Sequence, residues 1–173
     1  MGALTVGSGR DEAVNCGPMI SSAAIDKIDG LVKEAVGAGA RTAIGGTPVD
    51  GPGYFYRPTV LAGVAAGSPI TRHEIFGPVA PVIVFTDHEE VVSWANDTEM
   101  GLAAYVYTTD LTKALHTGER LAYGMVGVNR GAMSDPAAPF GGMSGRSEEY
   151  RSSFAETFFS SRRYQGVERT RLS

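Results

Sequence analysis

Two short segments of the 173-residue chain hold side chains whose types and spacing suit chemistry. The first is His73-Glu74-Ile75-Phe76-Gly77-Pro78-Val79, where a carboxylate, an aromatic ring and a Gly-Pro turn lead into a short apolar, β-branched run. Loops at strand ends of α/β folds often carry ligand contacts, although carboxyl ends are preferred. The plain alternative makes Glu74 a solvated turn residue and Phe76 a cap on the core. The second segment is Asn129 to Met143, NRGAMSDPAAPFGGM, which combines Asn129, Arg130, Ser134 and Asp135 with Phe140. Its plain alternative is a long, ordered surface loop. Cys16, the one cysteine, stands in VNCGP just before a helical pattern. A thiol near a helix N-terminus is more reactive when its pKa falls. No histidine or lysine lies near Cys16 in sequence, so a structural role is the expectation. His73, His88 and His116 are isolated, which predicts no metal site and places His116 on a helix surface.

Several common motifs are absent. There is no G-x-x-x-x-G-K-S/T, so a P-loop is excluded. Gly7/Gly9 and Gly37/Gly39 begin a G-x-G without the third glycine, so no Rossmann fingerprint is present. Ser144 lacks the spacing of a nucleophile elbow.

The elements that must position these segments alternate along the chain. Ser21 or Ser22 is placed to cap a helix, with Asp26 near its positive end. Ala24, Ile25, Ile28, Leu31, Val32, Ala35 and Val36 recur at helical spacing, with Asp29, Lys33 and Glu34 on the other face. Gly37 and Gly39 end that helix. Strands are predicted from Arg41 to Ile44, Thr59 to Val64, Val79 to Phe85, Ala103 to Thr108 and Met125 to Asn129. Val79 to Phe85 is the strongest buried-strand signal. Helices are predicted from His88 to Ala95 and, capped by Thr109 or Asp110, up to about Ala122. The last would place Leu111, Ala114, Leu115 and Leu121 on one face, with Gly124 as its C′ residue. This order predicts an α/β fold with a mostly parallel open sheet flanked by helices.

Composition fits a globular chain, with 43% hydrophobic and 20% charged residues. Fifteen basic against nineteen acidic residues give a net charge of −4, which argues against nucleic-acid binding as the main role. No apolar run approaches the ~20 residues of a membrane span. A single cysteine and no signal-peptide pattern at the N-terminus make a cytoplasmic location the expectation.

Read together, HEIFGPVAPV, ANDTEMGLAAYVYTTD, GMVGVNRG and PFGG resemble the C-terminal part of the NAD(P)-dependent aldehyde dehydrogenase superfamily. GPMI with the first helix, and GYFYRPTVL, fit the same family in the same order. The resemblance spans about residues 3–143. GMVGVNRG with SDPAAPFGG is most similar to succinate-semialdehyde dehydrogenases. It implies that Glu74 hydrogen-bonds the ribose hydroxyls on the nicotinamide side of NAD or NADP, a role an ionised carboxylate suits. It implies that Phe76 packs by the nicotinamide ring and that Ser134 helps hold the substrate carboxylate. No family role matches Arg130.

The family reaction also needs a cysteine nucleophile in F-x-x-x-G-Q-x-C, which forms a thiohemiacetal, and a glutamate base in E-L-G-G. Neither segment occurs here. Cys16 falls after the nucleophile's position and does not inherit its role, so no catalytic residue is assigned. The expectation is a C-terminal part of the enzyme, inactive alone, with a non-catalytic partner of a full-length aldehyde dehydrogenase as the alternative.

Residues 144–173 differ in composition: six arginines, four glutamates, seven serines and net charge +2, against −6 for residues 1–143. The family's lysine and G-x-G-R-E spacing are lost after PFGGM. This predicts a divergent, poorly ordered tail, a deletion or frameshift near Met143, and loss of the family's oligomerisation strand.

Overall fold

Ser21 starts the first helix, α1 (Ser22–Gly37): its backbone is extended and its Oγ accepts the Ala24 N–H at 3.2 Å. At the other end Gly39 takes φ 104°, a conformation that favours glycine. This lets the Gly39 and Ala40 amides donate to the Val36 and Ala35 carbonyls, both at 3.0 Å, and close the helix as a Schellman turn. The computed structural model describes residues 1–133 and 140–142. They fall into two compact units, one spanning Met1–Thr86 and one beginning at Asp87.

In the first unit the apolar stripe of α1 meets a three-stranded sheet. Its strands are β1 (Arg41–Ile44), β2 (Thr59–Ala62) and β3 (Val79–Val82), in that order. β1 and β2 are antiparallel, whereas β2 and β3 are parallel with Leu61 opposite Pro81. Ile28, Val32 and Ala35 pack with Ala40, Tyr56, Leu61, Val64 and Ile70 in one buried cluster. A four-residue helix missing from the sequence expectation, α2 (Pro69–Arg72), supplies Ile70. Two expectations change here. Asp29 does not sit on the solvent face of α1: it accepts the hydroxyl of the buried Tyr56 at 3.2 Å and pairs with Lys33 at 2.6 Å. The third strand ends at Val82, and Val84 and Phe85 are 74% and 49% exposed. Burial is expected of the whole apolar run, but Val84 and Phe85 lie beyond the strand, and among the described residues β3 pairs only with β2.

The second unit contains α3 (His88–Asn96), β4 (Ala103–Val106), α4 (Leu111–Arg120) and β5 (Met125–Val128). β4 and β5 are parallel, with Tyr105 opposite Gly127. Asp87 and Asp110 cap the two helices through their carboxylates. The buried face of α4 is narrower than expected: Ala114 and Gly118 are buried, while Leu111 and Leu115 are 60% and 40% exposed. The helix also stops at Arg120, because Leu121 turns extended. Gly124 is therefore not its C′ residue. It stands where any side chain would collide with the Gly141 carbonyl. The divergent tail expected for 144–173 lies outside the described residues.

Candidate functional site

The loop from His73 to Val79 is fixed by packing. His73 ends α2, and both its backbone N–H and its Nδ1 lie within hydrogen-bond distance of the Pro69 carbonyl, at 3.1 and 2.8 Å. Ile75 then turns inward and packs on the core beside Ile28, Leu31, Val32, Ile70 and Val79. Gly77 lets the loop lie against α1: a Cβ there would collide with Ile28 Cδ1. Pro78 accepts the amide of the fully buried Thr59 at 2.7 Å, which anchors the start of β3. With Ile75 inward, Glu74 and Phe76 both face solvent, and Phe76 is 77% exposed. The Glu74 carboxylate makes no hydrogen bond or ion pair among the described residues. From α1, Lys27 Nζ donates to the Glu74 carbonyl at 3.1 Å. Sequence reasoning missed Lys27, because the contact joins residues 47 positions apart.

The structure thus brings Glu74, Phe76 and Lys27 together at the amino end of β3. An exposed carboxylate beside an exposed aromatic ring suits a ligand that carries hydroxyls next to a flat ring. Core side chains line the space behind Ile75, so the accessible face of the loop is the outer one.

The second candidate segment leaves the carboxyl end of β5. Asn129 has φ 54°, the one non-glycine residue with positive φ among the described residues. Asparagine tolerates this conformation better than most residues. Met133 folds back over Gly127, and Gly141 and Gly142 lie against Gly124 and Leu102. Phe140 is 67% exposed. Ser134, expected to touch substrate, lies outside the described residues, as does Asp135.

The remaining candidates carry no chemistry that the geometry supports. Cys16 is half-buried in an N-terminal clip, where its backbone bonds to Thr5 and Gly7. His116 is exposed as expected, with its ring 6.4 Å from that of His88. No group of three or more His, Cys, Asp or Glu suited to a metal occurs among the described residues. No helix among them is long and apolar enough to cross a membrane. The clearest titration shifts are structural. Burial, reinforced by Asp29, pushes the Tyr56 hydroxyl well above its ordinary 10.0. Its hydrogen bonds to Arg120 hold Glu89 below 4.5.

The profile of the Aldehyde dehydrogenase family matches residues 1–162, reaching past the 3–143 span of the sequence motifs. A succinate-semialdehyde dehydrogenase of Paenarthrobacter nicotinovorans is 52% identical over 143 residues, covering 83% of this chain and 32% of the relative. The NADP(+) succinate-semialdehyde dehydrogenase GabD of Escherichia coli is 43% identical, with 81% and 29% covered. A solved E. coli NADP-dependent enzyme superimposes with a TM-score of 0.78 at 42% identity, covering 82% of this chain and 29% of that one. The NAD+ complex of a Bacillus cereus aldehyde dehydrogenase gives 0.77 at 33%, with 82% and 29% covered. The chain therefore spans about a third of the length of the relatives it matches. On the strength of that match and of the shared α/β fold, the chain belongs to the aldehyde dehydrogenase family.

Proposed function

We propose that this chain supplies the nicotinamide-ribose wall and the substrate-carboxylate contact of an NAD(P)-dependent semialdehyde dehydrogenase, with succinate semialdehyde as the substrate. The observation that carries this reading is the alternation at Glu74-Ile75-Phe76, with Ile75 keyed into the core and its two neighbours presented outward. The exposed, unpartnered carboxylate fits two vicinal hydroxyls, and the exposed ring fits a flat heteroaromatic group. Glu74 would accept both ribose hydroxyls and fix the sugar's rotation. Phe76 would flank the nicotinamide and keep water from its reacting face. Ser134 would donate to the substrate carboxylate. The nicotinamide, when bound, supplies the hydride acceptor. Succinate semialdehyde is favoured because the P. nicotinovorans and E. coli relatives, 52% and 43% identical, are named for it, whereas a relative of Pseudomonas aeruginosa at 42% is named for glutarate semialdehyde.

The sequence contains no G-Q-x-C and no E-L-G-G segment, so attack on the aldehyde and hydrolysis depend on residues supplied from outside it. The isolated chain is therefore proposed to be inactive. Residues 1–143 are proposed to be the part that does this work, and 144–173 to be dispensable. Co-expression with the nucleophile-bearing remainder of the P. nicotinovorans relative tests the reading. Expected is oxidation of succinate semialdehyde by the pair, retained on truncation after Met143, and none by either part. A soluble, stable pair with no turnover would overturn it.

The exposed Val82 at the end of β3, with the exposed Val84 and Phe85 just after it, favours a second reading, since uncovered apolar side chains beside a strand invite association. In it the chain joins a full-length aldehyde dehydrogenase without contributing to catalysis. Co-purification with the intact relative, and not with the remainder, would select it.

A further inference from the structure

We propose that Asp50-Gly51 is a site of spontaneous covalent modification, where the aspartyl linkage isomerises through a cyclic succinimide. Asp-Gly occurs twice in the chain, at Asp29-Gly30 and at Asp50-Gly51, and the fold treats the two pairs in opposite ways. In the reaction the Gly51 amide nitrogen attacks Cγ of the Asp50 carboxyl group. An N–Cγ bond forms, the amide proton is lost, and the carboxyl hydroxyl leaves with it as water. Water then adds back to one of the two ring carbonyls. Opening at Cγ restores aspartate. Opening at the main-chain carbonyl carbon leaves Gly51 linked through Cγ, with one more methylene in the backbone and a carboxylate on the old main-chain carbon. The water lost is regained, so no oxidant, reductant or cofactor is needed. The attack needs an amide free of hydrogen bonds, a carboxyl group free of partners, and room for the chain to turn.

Asp50-Gly51 meets all three conditions. It lies at the tip of the connection between β1 and β2, beyond the Pro48–Tyr56 bridge and the bond from the Val49 N–H to the Phe55 carbonyl at 2.9 Å. Both residues are exposed. Among the described residues neither the Asp50 carboxylate nor the Gly51 amide makes a hydrogen bond or ion pair. Gly51 takes φ 111°, and nothing stands within 4 Å of where a Cβ would be, so no side chain obstructs the approach. Asp29-Gly30 meets none of them. It lies inside α1, where the Gly30 amide is held in the helical hydrogen-bond ladder and the backbone cannot turn. The Asp29 carboxylate is engaged by the Tyr56 hydroxyl at 3.2 Å and the Lys33 ammonium at 2.6 Å. The tip of the 49–55 connection contributes no side chain to the buried cluster, so the isomerised chain keeps its core and stays folded.

The test is to age the full chain in mildly acidic buffer, where more of the carboxyl group carries the proton that its hydroxyl needs to leave as water. Peptides from a digest are then separated, weighed and fragmented to tell the isomerised linkage from the ordinary one. Expected is a second peak of unchanged mass that grows with time for the peptide holding Asp50, and none for the peptide holding Asp29. In urea, where α1 is lost, both peptides should show it. Asp50→Glu keeps the charge but closes a ring far less readily, and should abolish the growing peak at this position. Three results would overturn the proposal: an unmodified Asp50 in the folded chain beside a modified one in urea, equal modification of Asp29 and Asp50 in the folded chain, or a peak that persists in Asp50→Glu.

Discussion

The two units hold their candidate segments by different means. In the first, eight buried apolar residues form one cluster, and the Glu74–Phe76 loop is located by contact with it, through Ile75 and the missing side chain of Gly77. In the second, few large side chains are buried among the described residues, and polar ties do the positioning. Asn96 bridges the Arg120 carbonyl and the Ala122 amide, Tyr123 bonds the Ala95 carbonyl, and Asn129 grips Thr108. Packing holds a segment rigidly over a broad face. Directional bonds fix the orientation of a segment with little bulk.

Four substitutions sharpen that contrast, taken from the largest effect down. Leu61 is fully buried, and Leu61→Ala is expected to cost about 2–5 kcal/mol, read as a lower urea midpoint by circular dichroism. Gly77→Ala inserts a methyl group against Ile28 and should cost about 1–3 kcal/mol, with new chemical shifts at both Ile75 and Phe76. A Gly77→Ala chain as stable as the parent would show that packing does not locate the loop. Tyr56→Phe removes the bond to Asp29 and should cost about 1.5 kcal/mol, since Asp29 keeps Lys33.

The Tyr56 variant also carries a pH signature. Because folding raises the Tyr56 pKa above 10.0, its contribution is complete at lower pH and declines as pH rises beyond that value. The parent should lose stability there faster than Tyr56→Phe. The smallest effect belongs to the exposed Glu89–Arg120 pair in the second unit. Folding lowers the Glu89 pKa, so its contribution is present above 4.5 and fades as pH falls below it. Glu89→Gln should flatten the acid limb of a Trp94 fluorescence melt and leave neutral stability nearly unchanged. A large loss at neutral pH would mean that the pair carries more of the second unit than its exposure suggests.

Much of this fold was legible where signals are local. Ser21, Gly39 and Asp110 mark helix ends by chemistry that acts within a few residues; Asp87, which caps α3 in the same way, is missing from the sequence expectation. The run after Val79 was misread as wholly buried because apolar character states what should be covered, not which part of a protein covers it. The narrow face of α4 was misread for a related reason: Leu111 and Leu115 have helical spacing, yet the helix turns Ala114 and Gly118 inward. At the candidate site, Glu74 and Phe76 came from motif resemblance, and the plain reading of Phe76 as a core cap does not survive its exposure. Lys27 was hidden by sequence distance. Asn129 carried a readable signal, an asparagine just past a strand, which is a residue type suited to positive φ.

The central claim is that Glu74 holds the nicotinamide ribose. Its most direct test is KM for NAD(P) in the co-expressed pair carrying Glu74→Gln, with the thiol content of the pair checked by titration. Loss of the charge should weaken the two hydroxyl contacts and raise that KM about 10-fold or more, while KM for succinate semialdehyde moves little. An unchanged KM for NAD(P) would contradict the account and return Glu74 to the role of a solvated turn residue.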